Sequence, residues 1–408
     1  MKLPSAHPAG RLYLIGVLLF HALLFWNIHS KVAQGYPDFT IYYTAGTMLR
    51  TGMSHQLYNA VAQRQVQQQF APNVITRFGP LPFNHPPLEA VLFAPLTYFP
   101  YTAAYTLWFL LNLAMLAAVP VLLRPHIPLL RRLPVFLWFL MLLAFFPVLV
   151  ALIQGQDAIL LLLIYVLAFV AYRRNCLARA GAWLACALFK FHLVLPFAAL
   201  LLVQQETPAR GKRILLGFLP VAALLGILSL LAVGPHQIAV YPRYTLGLEA
   251  AMARRANLPA DMPNLRGALY LAVPGAVHLD LAVLALSILF FPLAAWILHR
   301  SDNRSTALKF SLSLIAALLL SYHGLVYDLC TLVLAAMLLA DWLTTGTAAH
   351  PISRWLMTPA LALLLFSPLQ AVLLMRFRHL GWLSWALIAL SIGLAAELHA
   401  RPRPAALP

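Results

Sequence analysis

Apolar runs close to the ~20 residues that cross a hydrocarbon layer as a helix recur along nearly the whole chain. They predict spans near 11–29, 101–123, 134–151, 158–172, 178–190, 192–203, 213–233, 276–299, 306–321, 325–341, 355–375 and 381–398. That is an all-α polytopic membrane protein with about 12 transmembrane segments. A β-barrel would show short alternating segments instead, and none occurs. The two runs flanking Lys190 are short, so they form either two thin spans or one hairpin that enters and returns. The run from Leu12 to Ile28 is long for a signal-peptide core, and no clear small-x-small site follows it. It is expected to stay as an uncleaved first span.

Two long stretches, roughly 30–100 and 234–275, break the apolar rhythm. In the first, "DFTIYYTAGTMLRTG" has the spacing of a short amphipathic helix stopped by Gly52, and "HQLYNAVAQRQVQQQF" that of a second. In "GPLPFNHPPLEAVLFAPLTYFP" the prolines bracket an apolar helix too brief to span. Short interfacial helices are therefore expected in this loop. No internal repeat is evident.

Composition sharpens the class. Of 408 residues, 62% are hydrophobic and only 10% charged, against roughly 25% charged in soluble domains. The net charge of +17 invites a nucleic-acid reading, but the basic residues sit in short clusters between apolar runs. These are Lys2/Arg11, Arg124/Arg131/Arg132, Arg173/Arg174/Arg179, Arg210/Lys212/Arg213, Arg300/Arg304/Lys309, Arg354 and Arg401/Arg403. Such clusters anchor cytoplasmic loops. Both termini are then cytoplasmic and the two long stretches lie outside, where Arg77, Arg254 and Arg255 are spread more thinly. Cys176, Cys186 and Cys330 lack metal-ligand spacing and form no disulfide framework.

Only 11 acidic residues are present, so their positions are informative. Asp38, Glu89, Asp157, Glu249, Asp261 and Asp328 fall in or near outer loops, and Asp302 falls inside. Asp38 follows Pro37 and precedes an amphipathic helix, the position of an ordinary N-cap; a capping carboxylate facing a cleft can also act as a base. Lys190, in "CALFKFHLVLP", is an ionisable group in an apolar setting, suited to a lipid phosphate or to a salt bridge. "DMPNLRGALY" supplies Asn264 and Arg266, and a guanidinium clamps phosphate or meets a headgroup. "LIQGQDAIL" places Gln154, Gln156 and Asp157 on a tight turn, where they either contact sugar hydroxyls or cap a helix. In "LSYHGLVYDLC", His323, Tyr327 and Asp328 share a face if the segment is helical. "FNHPPLEA" offers His85 and Glu89, with Pro86 and Pro87 starting a helix. Tyr42 and His192, close in sequence to Asp38 and Lys190, complete the set of substrate-binding candidates.

The succession "PDFTIYYTAGTMLRTGMSHQLYN", "FNHPPLEAVLFAPLTYFP", "GQDAILLLL" and "AGAWLACALFKFHLVLPF" resembles bacterial glycosyltransferase family 87, over about residues 36–340. The remaining spans, 341–408, extend a single membrane domain. The resemblance implies a GT-C helical bundle, akin to polyprenol-phosphate-mannose-dependent α-1,2-mannosyltransferases. A hexose, expected to be mannose, passes from a polyprenyl-phosphate donor to a hydroxyl of a glycan or lipid acceptor on the non-cytoplasmic face of a bacterial inner membrane. Asp38 matches the family's general base, Lys190 its lysine after the Ala-Gly helix, and Gln156 its Gly-Gln turn; His323 and Asp328 fall in its late polar turn. His85 stands where many relatives carry an aromatic, so no role transfers to it. One base suffices for a single inverting displacement, with Lys190 and Arg266 expected to steady the leaving phosphate. No metal and no other cofactor is called for. A transporter or flippase, or a scaffold without catalysis, are the alternatives.

Overall fold

The computed structural model describes residues 8–71, 81–256, 258–275, 278–301, 306–345 and 351–399, the side chains of 249–258 and of 351 excepted. Lys2, Arg77, Glu249, Arg254, Arg255, Asp302, Arg304, Arg401 and Arg403 lie outside the described side chains. Among the described residues all regular structure is helical. Each expected span has a helical counterpart, but the count changes. Among the described residues six helices are long and apolar enough to cross a membrane, or up to nine if each of three bent pairs is one span. Ala158–Arg173 and Thr306–Leu320 are shorter apolar helices. Both are buried along most of their length, and a helix wrapped in protein need not match the bilayer thickness. Pro8–Ala33, Pro208–Leu248 and Leu279–Arg300 instead expose most of their apolar surface, as lipid-facing helices do.

The two short helices around Lys190 double back on each other, as both alternatives require. Leu177–Cys186 and Leu188–Val203 make an angle of 61°, and their far ends return to one place. Tyr172 OH donates to Gln205 Oε1 (3.2 Å), and Arg210 Nη1 to Asn175 Oδ1 (2.9 Å). Lys190 therefore sits at the tip. Contacts of this kind sort all the loops between two ends of the bundle. At one end Leu129 N donates to Asp341 Oδ1 (2.7 Å), and Trp296 meets His399 edge to face. The other end, which carries the candidate residues, gathers the loops around 36–105, 154–157, 188–192, 258–272, 321–328 and 376–382.

Two broken helices meet at their breaks. Val135–Leu143 and Phe146–Gln154 are bent by 73°, and Ile352–Leu365 and Ser367–Phe377 by 61°. A break inside a membrane strands backbone groups that water cannot reach. Here Phe146 N donates to Ser367 Oγ (3.0 Å), Ser367 Oγ donates to Ala144 O, and His21 Nδ1 lies 3.0 Å from Leu143 O. Ser367→Ala strands an amide and a carbonyl at about 1–3 kcal/mol each. The expected result is a clearly lowered thermal midpoint in detergent with unaltered helix content by circular dichroism; an unchanged midpoint would show that the breaks are satisfied some other way.

The apolar core divides in two. The larger part fills the bundle. The smaller centres on Phe39, ringed by Tyr43, Phe93, Tyr101 and Tyr105 at centroid distances of 5.6–6.2 Å. It locks the loop carrying Phe39 onto the bundle. The loop's helices are Phe39–Arg50, Ala60–Phe70 and Pro87–Phe93, as the amphipathic spacing predicts. The long helix Pro208–Ala256 breaks at Gly234, whose φ of 77° and ψ of 166° suit only glycine. Beyond the break Gln237 clamps the loop, accepting from Tyr58 N (3.2 Å) and donating to His55 O (2.6 Å).

Candidate active site

The site grows from a turn. Phe146–Gln154 ends at Gly155, which adopts φ 63°, and a Cβ there would lie 2.7 Å from Phe39 Cβ. Glycine is required on both counts. Tyr105 OH bonds the carbonyls of Leu152 (3.0 Å) and Ile153 (2.9 Å), and Trp108 Nε1 donates to Gly155 O (2.9 Å). Held in this way, the turn presents Gln154 and Gln156 to the loop carrying Asp38.

Asp38 occupies the N-cap position of Phe39–Arg50, but its side chain makes no capping bond. The cap expectation is therefore corrected: Asp38 has helical dihedrals (φ −60°, ψ −21°), which turn the carboxylate away from the first-turn amides. Its Oδ2 instead accepts from Gln156 Nε2 (2.7 Å), and its backbone N donates to Gln154 Oε1 (3.0 Å). Gln156 is itself oriented by Tyr42 OH, which donates to Oε1 (2.6 Å). Burial raises the Asp38 pKa, partly offset by the Gln156 bond and by His85, Lys190 and His323. Asp38 is nevertheless partly accessible.

From Tyr42 the network continues inward. His85 packs edge-on against the Tyr42 ring (5.1 Å), and its Nδ1 lies 2.8 Å from Glu89 Oε2. Pro87 starts the helix carrying Glu89, as the two prolines foretell. Burial raises the pKa of both Glu89 and Asp157, and the charge of Glu89 adds to the rise at Asp157. Asp157 likewise makes no capping bond, because Lys190 draws its carboxylate to 3.1 Å. Lys190 also pairs with Asp328 at 2.7 Å and lies 4.8 Å from the centre of the Tyr327 ring. The Asp328 Oδ2 accepts from Leu325 N (2.9 Å). Residues 321–325 are not helical and Val326–Thr331 is a 3-10 turn, so the helical face expected for His323 and Asp328 does not exist.

A second cluster lies beside the first. His192 Nδ1 sits 2.7 Å from Ser321 Oγ, and Asn264 Nδ2 donates to Ser321 O (2.7 Å). Asn264 Oδ1 also caps Leu265–Ala272 through Gly267 N (3.0 Å), while Ser384 Oγ donates to Asn264 O (2.8 Å). Asn264 is thus a strut between loops. Arg266 is almost wholly buried, stacked 4.1 Å from the Tyr322 ring centre and 3.3 Å from Asp280 Oδ1. Ser321 and Ser384 had no sequence signal beyond lying near polar turns.

Burial also sets the charge of the His85–Glu89 pair. It pushes Glu89 up to about 7 from an ordinary 4.5, and pulls His85 down to about 4 from 6.5. The folded pair then holds a carboxylic acid and a neutral imidazole. Glu89's contribution to stability is fully present below pH 4.5 and is lost as pH rises through about 7. His85's is fully present above 6.5 and is lost as pH falls through about 4. Where the windows overlap the two slopes oppose. Glu89→Gln should unmask stability that rises with pH, and His85→Phe stability that falls, each with a slope of up to about 1.4 kcal/mol per pH unit. Thermal midpoints taken across pH 4.5–6.5 check this; parallel profiles in all three proteins would refute it.

Among the described residues no group of three or more His, Cys, Asp or Glu is arranged to hold a metal ion. No curated protein and no solved structure matches this chain. The family model of glycosyltransferase family 87 matches residues 83–326, taking in the Glu89, Asp157, Lys190 and His323 segments. The chain therefore belongs to glycosyltransferase family 87 and is a membrane glycosyltransferase.

Proposed function

We propose that this protein transfers a hexose, with mannose the expected sugar, from a polyprenyl-phosphate donor to an acceptor hydroxyl, with inversion and with Asp38 as the general base. The observation that carries the proposal is the contrast among the four carboxyl groups of the network. Glu89, Asp157 and Asp328 are 0–1% exposed and paired with His85 or Lys190, whereas Asp38 is partly open and its carboxylate accepts from the neutral amide of Gln156. As the acceptor oxygen bonds to the anomeric carbon, the bond from that carbon to the phosphate oxygen breaks. The hydroxyl proton passes to Asp38, and the polyprenyl phosphate departs as an anion that needs no protonation. A raised pKa makes Asp38 a stronger base than a solvated carboxylate.

The expectation that Lys190 holds the leaving phosphate is revised. Its charge is already met by two carboxylates, and 3% exposure leaves no room for a third anion. Lys190 is instead the post that aligns the turn bearing Asp157 with the one bearing Asp328. Arg266, beneath Tyr322, is equally enclosed. His192 and His323 are partly exposed at the same end and are assigned to the phosphate. The loop clusters holding Arg131/Arg132, Arg173/Arg174 and Arg210/Lys212/Arg213 lie at the opposite end of the bundle. By the positive-inside rule that end is cytoplasmic and the site faces outward, across a bacterial inner membrane.

The test is transfer by the purified protein from a small panel of polyprenyl-phosphate sugars, with membrane lipid extract as acceptor and products followed by mass. A hexose added to one acceptor from a lipid-linked donor supports the reading. Failure of every such donor, with success of a nucleotide sugar, overturns it.

A further inference from the structure

A polar cavity of about 280 Å³ opens at the end of the bundle away from Asp38, between the returning arms of the Lys190 hairpin and the start of Thr306–Leu320. Tyr172, Arg173, Gln204, Glu206, Arg210 and Lys309 contribute to its wall. Three of these are cations and one is a carboxylate, in a protein whose remaining described cavities are apolar-lined. Arg210 is held in place, donating to Asn175 Oδ1 (2.9 Å) and lying 5.9 Å from the centre of the Tyr172 ring. Lys309 is 5% exposed, with its Nζ donating to Ser301 O (3.0 Å). Gln204 is 6% exposed, yet its Nε2 is a buried donor with no hydrogen-bond partner. Leaving an amide N–H unsatisfied costs about 1–3 kcal/mol, so an acceptor belongs opposite it. Cations around an unused donor, in a cavity beside the helix ends, fit a group with several anionic oxygens.

We propose that this cavity binds a phosphate group, with Arg173 and Arg210 meeting its charge and Gln204 Nε2 donating to one of its oxygens. The chemistry is shared by the headgroup of an anionic membrane lipid and by free phosphate. The cavity lies among residues that the transfer reaction does not use, so the proposal stands whether or not the assignment of Asp38 does.

The test uses the full-length protein in nanodiscs of phosphatidylcholine alone, of phosphatidylcholine with phosphatidylglycerol, and of phosphatidylcholine with added inorganic phosphate. Thermal midpoints and lipids retained in native mass spectrometry are read for the wild type, for Arg173→Gln/Arg210→Gln and for Gln204→Leu. The arginines are not enclosed, so the double variant is expected to fold normally. Gln204→Leu removes the unused donor while preserving apolar contact, and gives an independent reading. Stabilisation by phosphatidylglycerol that falls at least about tenfold in apparent affinity in both variants supports the site and identifies a lipid occupant. The same pattern with inorganic phosphate supports it and identifies the free ion. Equal responses in wild type and variants, or no response to either ligand, overturns it.

Discussion

Asp38→Asn is expected to lower transfer by about 10²–10⁴-fold, the range that a positioned general base contributes, and to leave the fold intact. The structure gives the second half of that expectation its force. The Asp38 carboxylate does not cap its helix, so the substitution removes no capping bond. Asparagine retains an oxygen at the same place to accept from Gln156 Nε2, and its backbone N still reaches Gln154 Oε1. A carboxylate whose pKa is raised by burial also predicts the shape of the pH profile. The wild-type rate should fall as pH drops through that raised pKa, at a higher pH than an exposed carboxylate would give, and the residual activity of Asp38→Asn should lack this limb. Rate and thermal midpoint measured on one preparation decide the matter. Wild-type activity in the variant, or activity lost together with the midpoint, would remove Asp38 from the reaction.

Lys190→Met should have the largest effect on folding. Removing one partner of a buried ion pair costs about 3–5 kcal/mol, because the other charge is left behind. Here two carboxylates, Asp157 and Asp328, lose their shared cation inside a nearly sealed pocket. Little folded protein is expected from membranes, and what survives should melt far below the wild type. Adding Asp328→Asn removes one of the stranded charges and should restore part of the loss. That recovery separates electrostatic stranding from the lost volume of the lysine. A Lys190→Met protein as stable as the wild type, with transfer alone abolished, would instead return Lys190 to the role of a phosphate-binding cation.

Much of the fold was legible because the bilayer writes its requirement into the sequence as long apolar runs. The helix Tyr101–Leu123 lies where the pattern places it, and the first long loop forms the short helices its spacing predicts. The bends were not legible. A run such as 134–151 is equally apolar whether straight or broken, and the reason for the break, Ser367, lies more than two hundred residues away. The candidate site was legible as residue types, because carboxylates are scarce here and conspicuous against leucine. Their partners were not. Asp38 and Asp157 each sit where a cap belongs, and only the long-range contacts to Gln156 and Lys190 show that neither caps. Nor does periodicity report the late polar turn: "LSYHGLVYDLC" has helical spacing on paper, but the chain is irregular from 321 to 325.

The Lys190 pairings also bear on how the protein is made. Asp157 and Lys190 leave the ribosome close together, whereas Asp328 follows 138 residues after Lys190. Until it arrives, the tip at Lys190 has one anchor, Asp157. Ser367 and Ser384 come later still, bracing the Phe146 break and the Asn264 loop. A nascent chain thus inserts most of its bundle before the Lys190 network can close.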